Sequence, residues 1–233
     1  MKTSKAIEAI NRNGSLLVFP IQNREEPKSL WSELYPKTKM KWEWDDSADS
    51  RVAKLWHLRE ELSRSKRVVY SKWYQGRATF FSREVFTYLT TLLGHTKGLT
   101  RESLSVLQML EEESPLSTKA LKKKCRLQGQ AMEGTYQKLL KPLWTRGFIV
   151  GFGEVDEGAF PSLAIGATSL LFEDLWSEGQ KFTSSEAFKR LENLLKTSPL
   201  VWKEVQKQLK LLNEIKPPVR KKKWVRGKDL YLD

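Results

Sequence analysis

The sequence predicts an α+β protein, mostly helical, in which a winged helix-turn-helix domain stands between an N-terminal α/β segment and C-terminal helices. Three observations predict it. From Thr100 to about Phe160, three stretches with apolar residues at helical spacing precede two strand-like runs, the element order of a winged helix. Ser or Thr residues stand where helices should begin, and Gly94 and Gly147 where two of them should stop. The 233 residues, 39% of them hydrophobic, suffice for a proper core without disulfides or metals.

Taken in order, residues 4–11 read as a helix and residues 15–20 as a short buried strand after the turn Asn13-Gly14. Pro27 and Pro36 bracket a helical piece over residues 29–34. Trp42 and Trp44 alternate with charges, as in a short strand or a tethering loop. Asp49 or Ser50 caps a helix over residues 51–63, with Val52, Leu55, Trp56 and Leu62 at apolar spacing and Arg51, Lys54, Glu60 and Glu61 opposite. Residues 64–77 interleave basic and aromatic side chains. Ser82 then caps a helix over residues 83–93, with Phe86, Leu89 and Leu93 as its buried stripe.

In the central segment Thr100 caps a helix to about Glu113, with Leu104, Leu107 (or Val106) and Leu110 inward. Ser114-Pro115-Leu116 is a turn, and Ser117 caps a second helix over residues 118–125 with Lys119, Lys122 and Lys123 outside. After a polar turn at residues 127–130, a third helix from about Ala131 keeps Met132, Tyr136, Leu139 (with Leu140) and Leu143 on one side and ends at Arg146-Gly147. Pro142 inside it costs about 3 kcal/mol unless accommodated, so a kink or break is expected there. Residues 148–152 and 159–163 read as a hairpin around residues 154–158. The C-terminal part is helical at 170–176, from the capping box Thr183/Glu186 to about Lys196, and from Ser198-Pro199 to Pro217-Pro218. The expected units are residues 1–98, the winged helix at 99–176, a helical pair at 177–216 and a basic tail at 217–233.

The chain carries a net charge of +13, unevenly placed. Residues 1–100 and 176–233 each hold +7, whereas residues 101–175 hold −1. Such a balance points to a polyanionic partner, with the flanks supplying most of the phosphate attraction. The single Cys125 excludes a disulfide framework, and His57 and His95 alone make no zinc site. Cys125 ends a lysine-rich helix, a setting that could lower its pKa, yet a half-buried structural thiol is the commoner case. Gly151-Phe152-Gly153 lacks the third glycine of a dinucleotide loop, and Asp45-Asp46 reads as a loop cap. No cofactor, metal or membrane partner is expected. Met1–Ala9 lacks the apolar run of a signal peptide, so a reducing, cytoplasmic setting is expected, nucleoid-associated in a bacterium.

A resemblance adds to this reading. Leu55-Trp56-His57-Leu58-Arg59, Tyr70-Ser71-Lys72, Phe80-Phe81-Ser82-Arg83-Glu84-Val85-Phe86 and the run Gly14–Pro20, followed by the helix-turn-helix segment, are similar to the AlkZ-related winged-helix proteins over residues 13–176. The resemblance implies a winged-helix fold and kinship to AlkZ-type DNA glycosylases, which carry a Gln-x-Gln or Gln-x-Asp pair near the N-terminus to activate water. This chain has Gln128-Gly129-Gln130 in the turn before the third helix instead, and the catalytic role is not carried over.

The function expected is duplex DNA binding, chiefly through phosphates, in repair or regulation. Lys138 and Lys141 on the third helix would meet the backbone, while Gln128, Gln130 and Thr135 at its start would reach base edges. Arg67, Lys72 and Arg77 would contact phosphates beside Trp73 or Tyr74 as a stacking platform. The alternative there is a core strand or helix with its aromatics buried and its charges solvated. Arg220, Lys221, Lys222 and Lys223 would form a basic arm. Two alternatives stay open: an AlkZ-like glycosylase acting on alkylated or crosslinked DNA, and a protein-interaction winged-helix scaffold.

Overall fold

The computed structural model describes residues 3–41, 49–155 and 161–215. Trp42, Trp44, Asp45, Asp46, the hairpin tip at residues 156–160 and the tail with Arg220, Lys221, Lys222 and Lys223 lie outside the described residues.

The chain folds around one antiparallel six-stranded sheet in the order β1-β3-β2-β5-β6-β4. Its strands are β1 (Ser15–Leu17), β2 (Val68–Tyr74), β3 (Arg77–Ser82), β4 (Leu116–Ser117), β5 (Ile149–Val155) and β6 (Ser162–Ala167). The helices are α1 (Thr3–Asn13), α2 (Leu30–Leu34), α3 (Ser50–Arg64), α4 (Arg83–Leu93), α5 (Arg101–Glu112), α6 (Thr118–Lys124), α7 (Glu133–Thr145), α8 (Thr168–Leu171), α9 (Glu173–Gly179), α10 (Ser184–Leu194) and α11 (Pro199–Glu214).

Strand side chains alternate between faces, and the buried residues divide accordingly. Leu17, Val69, Phe81 and Val150 point to one face and pack with α4, α9, α10 and α11. Leu16, Val68, Tyr70 and Phe80 point to the other, against α1, α2 and α3. On that same face Ile149, Ile165 and Ala167 meet α5, α6 and α7. The first half of the sheet joins the second through β2 and β5, with Tyr70 opposite Gly151. A Cβ at Gly151 would lie 2.2 Å from Tyr70 Cδ1, so only glycine lets the phenol ring lie flat across this junction.

Except at Ser198, the caps expected from the sequence are present. Asp49, Ser82, Thr100, Ser117 and Thr183 each accept a backbone N–H of the following first turn, and Thr183 with Glu186 closes a capping box. Ser198 differs: its hydroxyl donates to the Asn13 carbonyl at 3.3 Å rather than capping α11. Three further details depart from expectation. Trp56 is 41% exposed, because the stripe of α3 runs through Leu55, Leu58, Arg59 and Leu62 and leaves Trp56 a hundred degrees off it. Leu104 is likewise exposed beside the stripe Ser103, Val106, Leu107 and Leu110. The hairpin's second strand begins at Ser162, three residues later than its apolar run suggests.

Pro142 does not interrupt α7. It sits in the last turn, and the helix continues to Thr145. There the backbone closes in a Schellman pattern, with Phe148 N–H to the Leu143 carbonyl at 3.0 Å, Gly147 N–H to the Trp144 carbonyl at 3.2 Å and Gly147 at φ +71°.

Candidate nucleic-acid interface

The β2–β3 hairpin turns through Gln75 and Gly76, both at positive φ, the geometry that matches the twist of a two-residue hairpin loop. This turn, the C-terminal half of α7 and the face of α11 enclose a cavity of about 690 Å³. Lys72, Lys141, Arg146 and Lys207 line it, against the single carboxylate of Glu204. Arg146 is committed to structure, since its Nη1 donates to the His95 and Lys97 carbonyls at 2.6 and 2.7 Å, and burial pulls its pKa down. Lys141 is exposed, and Lys207 lies 3.6 Å from Glu204, whose other partner is Gln208 at 2.7 Å.

A second pocket of about 340 Å³ lies on the Tyr70 face of the sheet, between the α3 layer and β5. Phe19, Trp56, Arg59, Tyr70, Lys72 and Glu154 line it. Arg59 is buried, stacks 3.9 Å from the centre of the Trp56 ring and forms an ion pair with Glu154. Its Nε has no hydrogen-bond partner. Burial raises the Tyr70 pKa, with Arg59 opposing. Burial also lowers the pKa of Lys72, Arg59 and Lys122 acting in the same direction and Glu133 against them. Lys72 lines both cavities.

The residues singled out in the sequence fall into three groups. Lys72 and Lys141 come together at the larger cavity, with Lys138 exposed one turn earlier on α7 and Arg77 exposed at the hairpin base. Gln128, Gln130 and Thr135 are exposed around the entry to α7, with Gly129 at φ +89°, and none of them lines either cavity. Arg67 is exposed just before the start of β2. Trp73 is a correction: it is 1% exposed, donates its indole N–H to the Thr145 carbonyl at 2.8 Å and packs edge-on to Phe81, so no base can reach its face. Cys125 is half-buried, its thiol pushed up by burial, with Sγ 3.8 Å from Met109 Sδ. Sequence reasoning passed over Arg59, Glu154, Lys207 and Gln208. The available signal for Arg59 was its place on the apolar stripe of α3.

Among the described residues no three of His, Cys, Asp and Glu gather as a metal set, and no helix is long and apolar enough to cross a membrane. Fold and site define a mixed α+β protein with a six-stranded antiparallel sheet and a cation-lined groove beside α7. A family model described as AlkZ related matches residues 1–212, and the chain belongs to the AlkZ-related family. No curated protein matches it. Among solved structures, the DNA glycosylase AlkZ of Streptomyces sahachiroi is similar at 14% identity and a TM-score of 0.48, over 82% of this chain and 50% of that one. The chain thus spans about half the length of that protein.

Proposed function

We propose that this chain binds duplex DNA through its phosphates and serves in DNA repair. The observation that carries the reading is the groove itself, in which Lys141, Arg146 and Lys207 outnumber the one carboxylate, Glu204, among the described residues beside α7. In this reading α5, β4, α6, α7, β5 and β6 act as a winged helix, the unit at residues 99–176. Lys138 and Lys141 on α7, Arg77 on the hairpin and Arg67 meet the sugar-phosphate backbone. Gln128, Gln130 and Thr135 reach toward base edges, and Arg220, Lys221, Lys222 and Lys223 add sequence-independent attraction. The near-neutral charge of residues 101–175 fits a grip spread over both flanks.

The test is fluorescence anisotropy of a labelled mixed-sequence duplex across salt concentration. Affinity should fall steeply with salt, and a Lys138→Ala/Lys141→Ala double variant should reduce the log–log slope by about 2. A deletion after Pro218 should weaken binding further. Absence of binding at low salt would overturn the reading and leave a protein-interaction scaffold.

A second reading is supported by the pocket holding Arg59, Lys72 and Glu154, which adjoins the groove. A glycosylase would use such a pocket for a damaged nucleotide, and release of an alkylated base from duplex DNA would reveal it. Gln128 and Gln130 sit away from this pocket and are not its water activators in this reading.

A further inference from the structure

We propose that Lys72 is a nucleophilic amine that captures the aldehyde of a base-less deoxyribose in DNA as a Schiff base, an inference that rests on the DNA reading above and names a substrate class for it. Lys72 projects from β2, lines both cavities, is half-buried, and has no hydrogen-bond or ion-pair partner among the described residues. The carboxylates near it are already engaged. Glu154 is held by Arg59, Glu133 by Lys122 and Gln137, and Glu204 by Lys207 and Gln208. A lysine that is buried only for packing gains nothing from such a place. Desolvation beside other cations is instead the setting that turns lysine into a nucleophile at neutral pH, because both disfavour its proton. Burial lowers its pKa, with Arg59 and Lys122 adding to the effect, in keeping with this.

The partner must be an electrophilic carbon that phosphate contacts can deliver. In DNA that is C1′ of an abasic sugar in its ring-opened form. The pocket of about 340 Å³ admits a five-carbon sugar, and the cation-lined groove accommodates the flanking phosphates. The neutral Nζ places its lone pair on C1′, and the carbonyl electron pair moves to oxygen. That oxygen takes up the proton released from Nζ, giving a carbinolamine. Loss of the hydroxyl with the second Nζ proton releases one water and leaves C1′=Nζ. No electrons are exchanged with another group. Arg59, fixed between Trp56 and Glu154, holds a positive charge beside the developing alkoxide.

The test incubates the full chain with a duplex carrying one abasic site and sodium cyanoborohydride, which reduces an imine to a stable amine. Peptide mass spectrometry then maps the adduct, and binding of the wild type to an intact duplex is measured alongside. The expected result is a covalent adduct mapped to Lys72, formed about tenfold faster than at all other lysines together. It should be lost in Lys72→Arg, which keeps the cation but not the nucleophile, with circular dichroism confirming that variant's fold. Intact-duplex binding with no adduct, or with adducts spread over exposed lysines such as Lys138 and Lys141, would overturn the inference and leave the DNA reading standing. Absence of any duplex binding would overturn both. The mapping on wild type decides the matter even where the variant fails to fold.

Discussion

Arg59 on α3 and Glu154 on β5, separated by 95 residues of chain, form an ion pair with both side chains almost fully buried. Two neighbouring contacts reinforce the same junction: Ser63 Oγ accepts the Gly153 N–H at 2.8 Å, and Arg64 donates to the Glu154 carbonyl. The end of α3 is thereby locked to the strand that follows α7, and the walls of the smaller pocket are set by this lock.

Removing one partner of that pair should be costly. Glu154→Ala leaves the Arg59 charge buried with the Trp56 and Tyr70 rings as its compensation, and should destabilise the fold by about 3–5 kcal/mol. An Arg59→Met/Glu154→Leu double variant removes both charges at similar volume and should recover most of the loss. Urea unfolding of the three proteins measures it. Equal destabilisation in the single and double variants would show that packing, not charge, dominates here.

Gly151 is the second place where the two halves of the sheet depend on one residue. Gly151→Ala puts a methyl within 2.2 Å of the Tyr70 ring, on the registered pair that joins β2 to β5. The strand has to shift, at a cost of about 1–3 kcal/mol. Thermal melting should show the loss, and Gly151→Ala combined with Tyr70→Leu, which removes the clashing ring edge, should be less than additive.

Trp73 is core, and its variants should behave as core variants. Trp73→Ala should cost about 3–5 kcal/mol. Trp73→Phe should cost less, but should lose about 1 kcal/mol from the bond to the Thr145 carbonyl. Neither should change the salt slope of duplex binding measured on folded protein. A slope altered in Trp73→Phe without loss of stability would return Trp73 to the interface.

Local signals in the sequence were read well, and signals that depend on distant partners were not. Ser82, Thr100, Ser117 and Thr183 announce their helices because capping involves only the next three residues. Gly147 announces the end of α7 for the same reason. The pairing of Tyr70 with Gly151 has no local trace, since it joins strands from distant parts of the chain. Trp73 misled because basic residues flank it. The register shift between Ser71 and Tyr74 breaks strict alternation, so Trp73 and Tyr74 are both buried. Arg59 was hidden by its own chemistry: an arginine on a helix reads as solvated until a carboxylate from another strand is seen to meet it. Of the groove, Lys72 was legible as a basic residue among aromatics and Lys141 by its place on the third helix opposite Leu139 and Leu143, while Lys207 and Gln208 came from a helix with no motif.

Lys72 makes a prediction of opposite sign to the others. Burial, with Arg59 and Lys122 nearby, disfavours its ammonium, so the folded chain holds that proton less tightly than the unfolded chain, where the ordinary value is 10.5. Below the lowered folded value both states carry the proton, and the group destabilises the fold by its full amount. As pH rises from that value toward 10.5 the native amine is already neutral while the unfolded one gives up its proton, and the penalty vanishes. Lys72→Met keeps the stem and drops the charge. It should therefore be more stable than wild type at neutral pH, with the gain shrinking to nothing as pH approaches 10.5. Urea midpoints taken through that range decide it: a Lys72→Met variant less stable than wild type at pH 7 would mean that the ammonium is held by a favourable partner after all.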